Sequence, residues 1–143
     1  MKKEALLQIA VANYIATNYP DVNFHSDFGS GVKLTPMQAK LQASQNAHRA
    51  GWPDMFIAKP KLVLSEDGEP DFIHGLFIEL KAEGTTVYRR DGKLTANKHI
   101  RDQAKVLESL RLAGYRAEFA VGFYQAKKLI DDYLESEEEM ADG

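Results

Sequence analysis

The passage that most restricts this chain's fold is a strand, a helix and a second strand in succession. Residues 72–81 read as an extended segment containing Gly75-Leu76-Phe77-Ile78-Glu79-Leu80-Lys81, residues 96–113 as a helix closed by Gly114, and residues 115–121 as an apolar strand. Strands joined through a helix pair in parallel, and the crossover is expected to be right-handed. A parallel pair has to be covered on its faces, so the rest of the chain must supply helices. Residues 3–18 lack Gly and Pro and carry Leu7, Val11 and Tyr14 at helical spacing, with Glu4 on the same stripe. Thr35-Pro36 predicts an N-cap and first position for a helix over 36–50 with Gly51 as its terminal glycine, and residues 123–134 predict a last helix. Short strand signals at 22–25, 54–58 and 62–64 complete the pattern, with Gly29-Ser30-Gly31 as a loop and Glu66-Asp67-Gly68-Glu69-Pro70 as a turn. The expectation is an α/β fold with a mixed central sheet flanked by helices.

At 143 residues the chain is long enough for one core, and with no Cys it has neither disulfides nor thiolate zinc ligands. Glu4, Gln8 and Asn13 interrupt the apolar N-terminal stretch, so neither an export signal nor a membrane span is expected and the reading is a cytoplasmic protein. The net charge of -3 is uneven. Seven of the 21 acidic residues lie in 131–143 with no base among them, and this segment is expected to fray. The remaining 14 acids face 18 basic residues, and a body of +4 permits a polyanionic partner without requiring one.

Alternation along the strand at 75–81 puts Leu76, Ile78 and Leu80 on one face and Glu79 and Lys81 on the other. Burying that pair is costly unless it is paired or bound to something; the alternative is an edge strand with a solvated face. Asp54, which opens a strand after Gly51-Trp52-Pro53, can stand beside Glu79 if the two strands pair. Two carboxylates and a backbone carbonyl suit a hard cation such as Mg²⁺, and Lys81 could then orient or help deprotonate a water. Gln103 shares a helical face with Ile100, Leu107 and Leu110, so its amide either points into a polar site or is a satisfied core glutamine. Arg89, Arg90 and Lys93 surround a turn at Asp91-Gly92 in residues 84–95, which read as a loop or a small hairpin. His25, His48, His74 and His99 lack the spacing of a helical zinc site, and neither a phosphate-binding Gly-rich loop nor a Gly-x-Ser-x-Gly elbow is present.

Pro53-Asp54 with Glu79-Leu80-Lys81, the two acids 25 positions apart, resembles the PD-(D/E)xK nuclease superfamily. The fuller set, Gly51-Trp52-Pro53-Asp54, Glu79-Leu80-Lys81, then Gln103 on a helix before Gly114 and an apolar strand, is similar to the virus-type replication-repair nuclease (VRR-NUC) domain over residues 1–134, leaving 135–143 as an acidic tail. The resemblance implies a restriction-endonuclease-like core, with Asp54, Glu79 and the Leu80 carbonyl as ligands of Mg²⁺ or Mn²⁺ and Lys81 as the catalytic lysine. It further implies catalytic roles for Gln103 and for Glu4, an early acid that a favourable helix-dipole interaction explains equally well. The implied activity is a structure-selective DNA endonuclease acting on four-way or other branched junctions, as a homodimer, in a bacterium or a phage-infected bacterium. Two alternatives stand beside it: a non-catalytic DNA-binding or scaffold module of the same fold, and a restriction-type nuclease that reads base sequence. Arg89, Arg90 and Lys93 are the candidate phosphate contacts.

Overall fold

The computed structural model describes residues 2–27, 34–47 and 49–135. Four helices and six strands follow one another as α1 (Lys3–Asn18), β1 (Phe24–Ser26), α2 (Pro36–Gln45), β2 (Met55–Ile57), β3 (Lys61–Leu64), β4 (Pro70–Ile73), β5 (Leu76–Lys81), α3 (Lys98–Leu112), β6 (Arg116–Val121) and α4 (Gly122–Glu135). The main sheet has the order β1-β2-β5-β6, antiparallel except for the parallel β5–β6 pair, and β3 and β4 form a separate antiparallel ribbon. This is the mixed sheet expected from the strand-helix-strand passage. No helix among the described residues is long and apolar enough to cross a membrane.

β5 is an interior strand, and all six of its residues are buried. The solvated-edge alternative for Glu79 and Lys81 is therefore excluded. Leu76, Ile78 and Leu80 pack with Met55 and Ile57 of β2, Val11 and Ile15 of α1, and Ala126, Ile130 and Tyr133 of α4. On the opposite face Phe77 packs against Leu107 and Leu110 of α3 and Ala117 of β6. Glu79 and Lys81 share the Phe77 side, beneath α3.

Two predicted boundaries differ from those observed, each for a physical reason. The strand expected over 72–81 is two strands, broken at His74-Gly75. Gly75 lies against β2 so closely that a Cβ there would come within 2.6 Å of the Phe56 ring and 2.8 Å of the Ile57 carbonyl, while His74 N–H donates to the Gly114 carbonyl at 2.9 Å. At that crossing the chain leaves the ribbon and enters the main sheet. The helix expected over 36–50 begins as predicted, with a Thr35–Gln38 capping box and Pro36 in its first turn, but ends at Gln45. It buries no residue, and Ala47 turns the chain into the left-handed region at φ 53°, so tertiary packing does not extend it. Gly51 accordingly serves another purpose. Its φ is +90°, and a Cβ there would approach Val106 Cγ2 of α3 at 3.1 Å. On α1 the buried stripe is Ala5, Gln8, Val11 and Ile15, with Leu7 and Tyr14 at its margin.

The acidic run at 131–143 divides in two. Residues 136–143, like Gly29-Ser30-Gly31 and His48, lie outside the described residues. Asp131 does not fray: it belongs to α4 and accepts from Tyr14 Oη (2.6 Å), Tyr19 Oη (2.7 Å) and Lys127 Nζ (2.9 Å), tying α1 to α4. Burial pushes the Asp131 carboxyl up, but these three bonds outweigh it and hold it below the usual carboxylate range. A depressed pKa contributes stability above the unfolded value of about 4, and that contribution is lost as pH falls through the folded value. Asp131→Asn is expected to cost about 2 kcal/mol at pH 7 in urea unfolding, with a smaller difference from wild type at pH 3. An equal difference at both values would remove Asp131 from this role.

Candidate active site

The register Met55↔Ile78 places Asp54, one residue before β2, opposite Glu79 on β5. Proline fixes the approach, because Pro53 is fully buried and Asp54 follows it directly into the sheet. Beyond the last β2–β5 pair the Leu80 N–H donates instead to Asp54 Oδ2 at 2.8 Å, so the aspartate continues the ladder with its side chain. A strand residue presents its N–H and its carbonyl to the same edge, so the Leu80 carbonyl points to the β2 side of the strand, as its N–H does. The Asp54 backbone is anchored in turn: its carbonyl accepts from Asp27 N–H at 2.6 Å, and the Asp27 carbonyl accepts from Gln8 Nε2 at 2.5 Å. Gln8 also donates to Ser26 Oγ at 2.7 Å. Gln8 is not among the candidate site residues that the sequence suggests, although it carries the same signal as Gln103, an amide on the apolar stripe of a helix.

Asp54, Glu79, Lys81 and Gln103 are each no more than 5% exposed, an unusual concentration of charge for a protein interior. Gln103 Nε2 donates to Glu79 Oε1 at 2.7 Å, which resolves the two sequence readings of Gln103 in favour of the polar site. Lys81 Nζ lies 3.9 Å from the same oxygen. Glu79 Oε2 and Gln103 Oε1 are buried with no hydrogen-bond partner. The Glu79 carboxyl is pushed up to about 9, chiefly by burial and then by the negative charge of Asp54, with Lys81 pulling the other way and Glu4 adding to the rise. Glu4, half-buried in the first turn of α1, thus contributes to the field of this site.

Among the described residues no group of three or more acidic or histidine side chains converges, so an all-protein metal cage is absent from them. The donor set present is two carboxylates and a carbonyl. That set fits a hard cation which keeps most of its waters and takes one or two carboxylates, as Mg²⁺ and Mn²⁺ do. The orphaned Glu79 oxygen and the mutual repulsion of the two acids are what such a cation would relieve.

Arg89, Arg90 and Lys93 are exposed on a compact turn after β5. Tyr88 bridges to Leu94, Arg89 N–H donates to the Lys93 carbonyl at 2.8 Å, and the Arg89 guanidinium pairs with Asp91 at 3.2 Å. The segment is the small hairpin of the two sequence alternatives. The Arg89–Asp91 pair is internal to the hairpin. His25 and His99 are exposed, and His74 stacks edge-on between Phe72 and Tyr115, so none of these three joins the site.

No family model matches the sequence, and no curated protein does. Among solved structures the chain is similar to one described as a VRR_NUC domain protein, at 22% identity with a TM-score of 0.61, covering 94% of this chain and 90% of that one. The chain shares the α/β fold of that VRR_NUC domain protein, as the motifs implied.

Proposed function

We propose that this protein is a Mg²⁺- or Mn²⁺-dependent DNA endonuclease that hydrolyses phosphodiester bonds at branched DNA, four-way junctions foremost. The single observation that supports it best is the buried pair Asp54 and Glu79 on facing strands, with one Glu79 oxygen orphaned and Lys81 one pleat period away. Asp54, Glu79 and the Leu80 carbonyl would hold the cation. When bound, it supplies Lewis-acid polarisation of the scissile phosphate and lowers the pKa of water. Gln103 fixes the Glu79 carboxyl by its bond to Oε1, leaving Oε2 for ligation. Lys81 orients the attacking water and stabilises negative charge developing on the phosphate. Gln8 and Asp27 hold the Asp54 backbone in place through the β1 end. A two-fold homodimer would set two such sites against the two strands of a junction.

Incubating the protein with labelled junction, flap and linear duplex DNAs, each with Mg²⁺, Mn²⁺ or chelator, tests this reading. Metal-dependent cutting of the junction in preference to the duplex is expected. Chelator-insensitive binding with no cutting would favour a non-catalytic module, in which the Lys81–Glu79 contact is a structural ion pair, and equal cutting of linear duplex at one base sequence would favour a restriction-type enzyme.

The hairpin bases are proposed as phosphate contacts beside the site. Neutralising Arg89 and Arg90 together is expected to weaken binding across DNA sequences and to make the log-log salt dependence shallower by about one unit per lost contact. Binding titrations at several salt concentrations check this, and an unchanged slope with unchanged affinity would make the hairpin a solvated turn only.

A further inference from the structure

Trp52 is the only tryptophan of the chain, and it is 56% exposed although it stands two residues before a buried carboxylate. Its indole is held edge-on against Phe77, centroid to centroid at 5.2 Å, and Phe77 is braced by Phe56 and Tyr115. The residue is therefore anchored in an aromatic cluster while more than half of its surface faces solvent. It borders a cavity of about 650 Å³ lined by Asn46, Arg49, Ala50, Trp52, Val106 and Ser109, between the segment that leads into β2 and the outer side of α3. Among the described residues Arg49 makes no ion pair, and its chain neighbour Ala50 leads directly to Gly51, which lies close against Val106 of α3.

The side chains around this cavity are of the kinds that hold a nucleobase. A rigid, half-exposed indole offers a flat π-face, Arg49 offers a cation for stacking or for a flanking phosphate, and Asn46 and Ser109 offer polar atoms at the rim. Its position relates it to the carboxylates. Phe77, which carries the indole, lies one pleat period from Glu79 on the same face of β5, about 7 Å along the strand. Val106 and Ser109, which line the cavity, follow Gln103, the partner of Glu79, by about 4.5 and 9 Å along α3, so a nucleotide on this indole shelf would lie within reach of a strand whose phosphate is at the carboxylates.

We infer that the Trp52–Arg49 cavity receives one unstacked nucleobase next to the scissile phosphate, and that capturing it is how the protein selects branched DNA. The inference rests on the nuclease reading above and deepens it. Extracting a base from duplex costs unstacking energy, and that cost is smallest where the base is already unpaired, as at a branch point. Selection then needs no reading of base identity, since every base has a π-face.

The test uses the wild-type protein in chelator, so that DNA is bound and not cut, and reads Trp52 fluorescence, excited where tyrosine does not absorb. The probe is a four-way junction, intact or carrying a single abasic site moved across the branch point. Intact junction is expected to quench the indole, and the quenching is expected to disappear for an abasic site at one position and not at others. Trp52→Ala should bind the junction about tenfold more weakly and Trp52→Phe nearly as well as wild type. Quenching unaffected by every abasic position, or Trp52→Ala binding as tightly as wild type, would overturn the shelf. Should Trp52→Ala fail to fold, the abasic scan on wild-type protein decides alone. Metal-dependent cutting with base-independent quenching would end this inference and leave the nuclease reading intact, whereas position-specific quenching without any cutting would do the reverse.

Discussion

Glu79→Gln is expected to reduce metal-dependent DNA cleavage by about a thousandfold or more, and Asp54→Asn to do nearly the same. Each change removes a negative ligand and preserves the shape of the side chain. The choice of amide matters at Asp54, because Leu80 N–H needs the acceptor that Asn retains and Ala would leave it orphaned. Neither variant should unfold the protein. In chelator at pH 7 Glu79→Gln is expected to be at least as stable as wild type in urea unfolding, since folding raises the Glu79 carboxyl to about 9 and must keep protonated a group that ionises in the unfolded chain. Cleavage rates under single-turnover conditions, with circular dichroism to verify folding, check both. A well-folded variant that cuts at wild-type rate would remove that residue from the metal site.

Lys81→Met is expected to lower the cleavage rate by about a hundredfold to a thousandfold while leaving affinity for the cation close to wild type. The lysine stands 3.9 Å from Glu79 Oε1, the oxygen already engaged by Gln103, and so it is placed to serve water and phosphate without occupying the ligand position at Oε2. Methionine keeps most of the buried stem volume and discards the charge. Gln103→Ala should cost less, because it frees the Glu79 carboxyl to rotate and removes no charge from the reaction. If Lys81→Met lost the cation altogether, or if Gln103→Ala lost more activity than Lys81→Met, the assigned roles would be exchanged.

The site was legible because its signals are local. Alternation along 75–81 separates Glu79 and Lys81 from Leu76, Ile78 and Leu80 whatever the rest of the chain does, and a strand opening at Asp54 can pair with that segment in few ways. Gln103 on the face of Ile100 and Leu107 could be read from helical spacing alone. The boundaries that the sequence misplaced depend on contacts far along the chain. The break at His74-Gly75 is imposed by Phe56 and Gly114, and the early end of α2 goes with a helix that buries none of its own residues among the described ones. Asp131 looked like one acid in a solvated run because its partners Tyr14 and Tyr19 are 117 and 112 positions away. Trp52 entered only as part of a motif, since nothing in the sequence shows that Phe77 holds its ring beside a cavity.

The central claim, that Asp54 and Glu79 together form a divalent-cation site, is tested most directly by titrating Mn²⁺ into wild-type protein and Glu79→Gln side by side in a calorimeter. Saturable binding to wild type and at least a tenfold loss of affinity in Glu79→Gln is the predicted result; equal binding to the two proteins, or none to wild type with or without DNA, would contradict it.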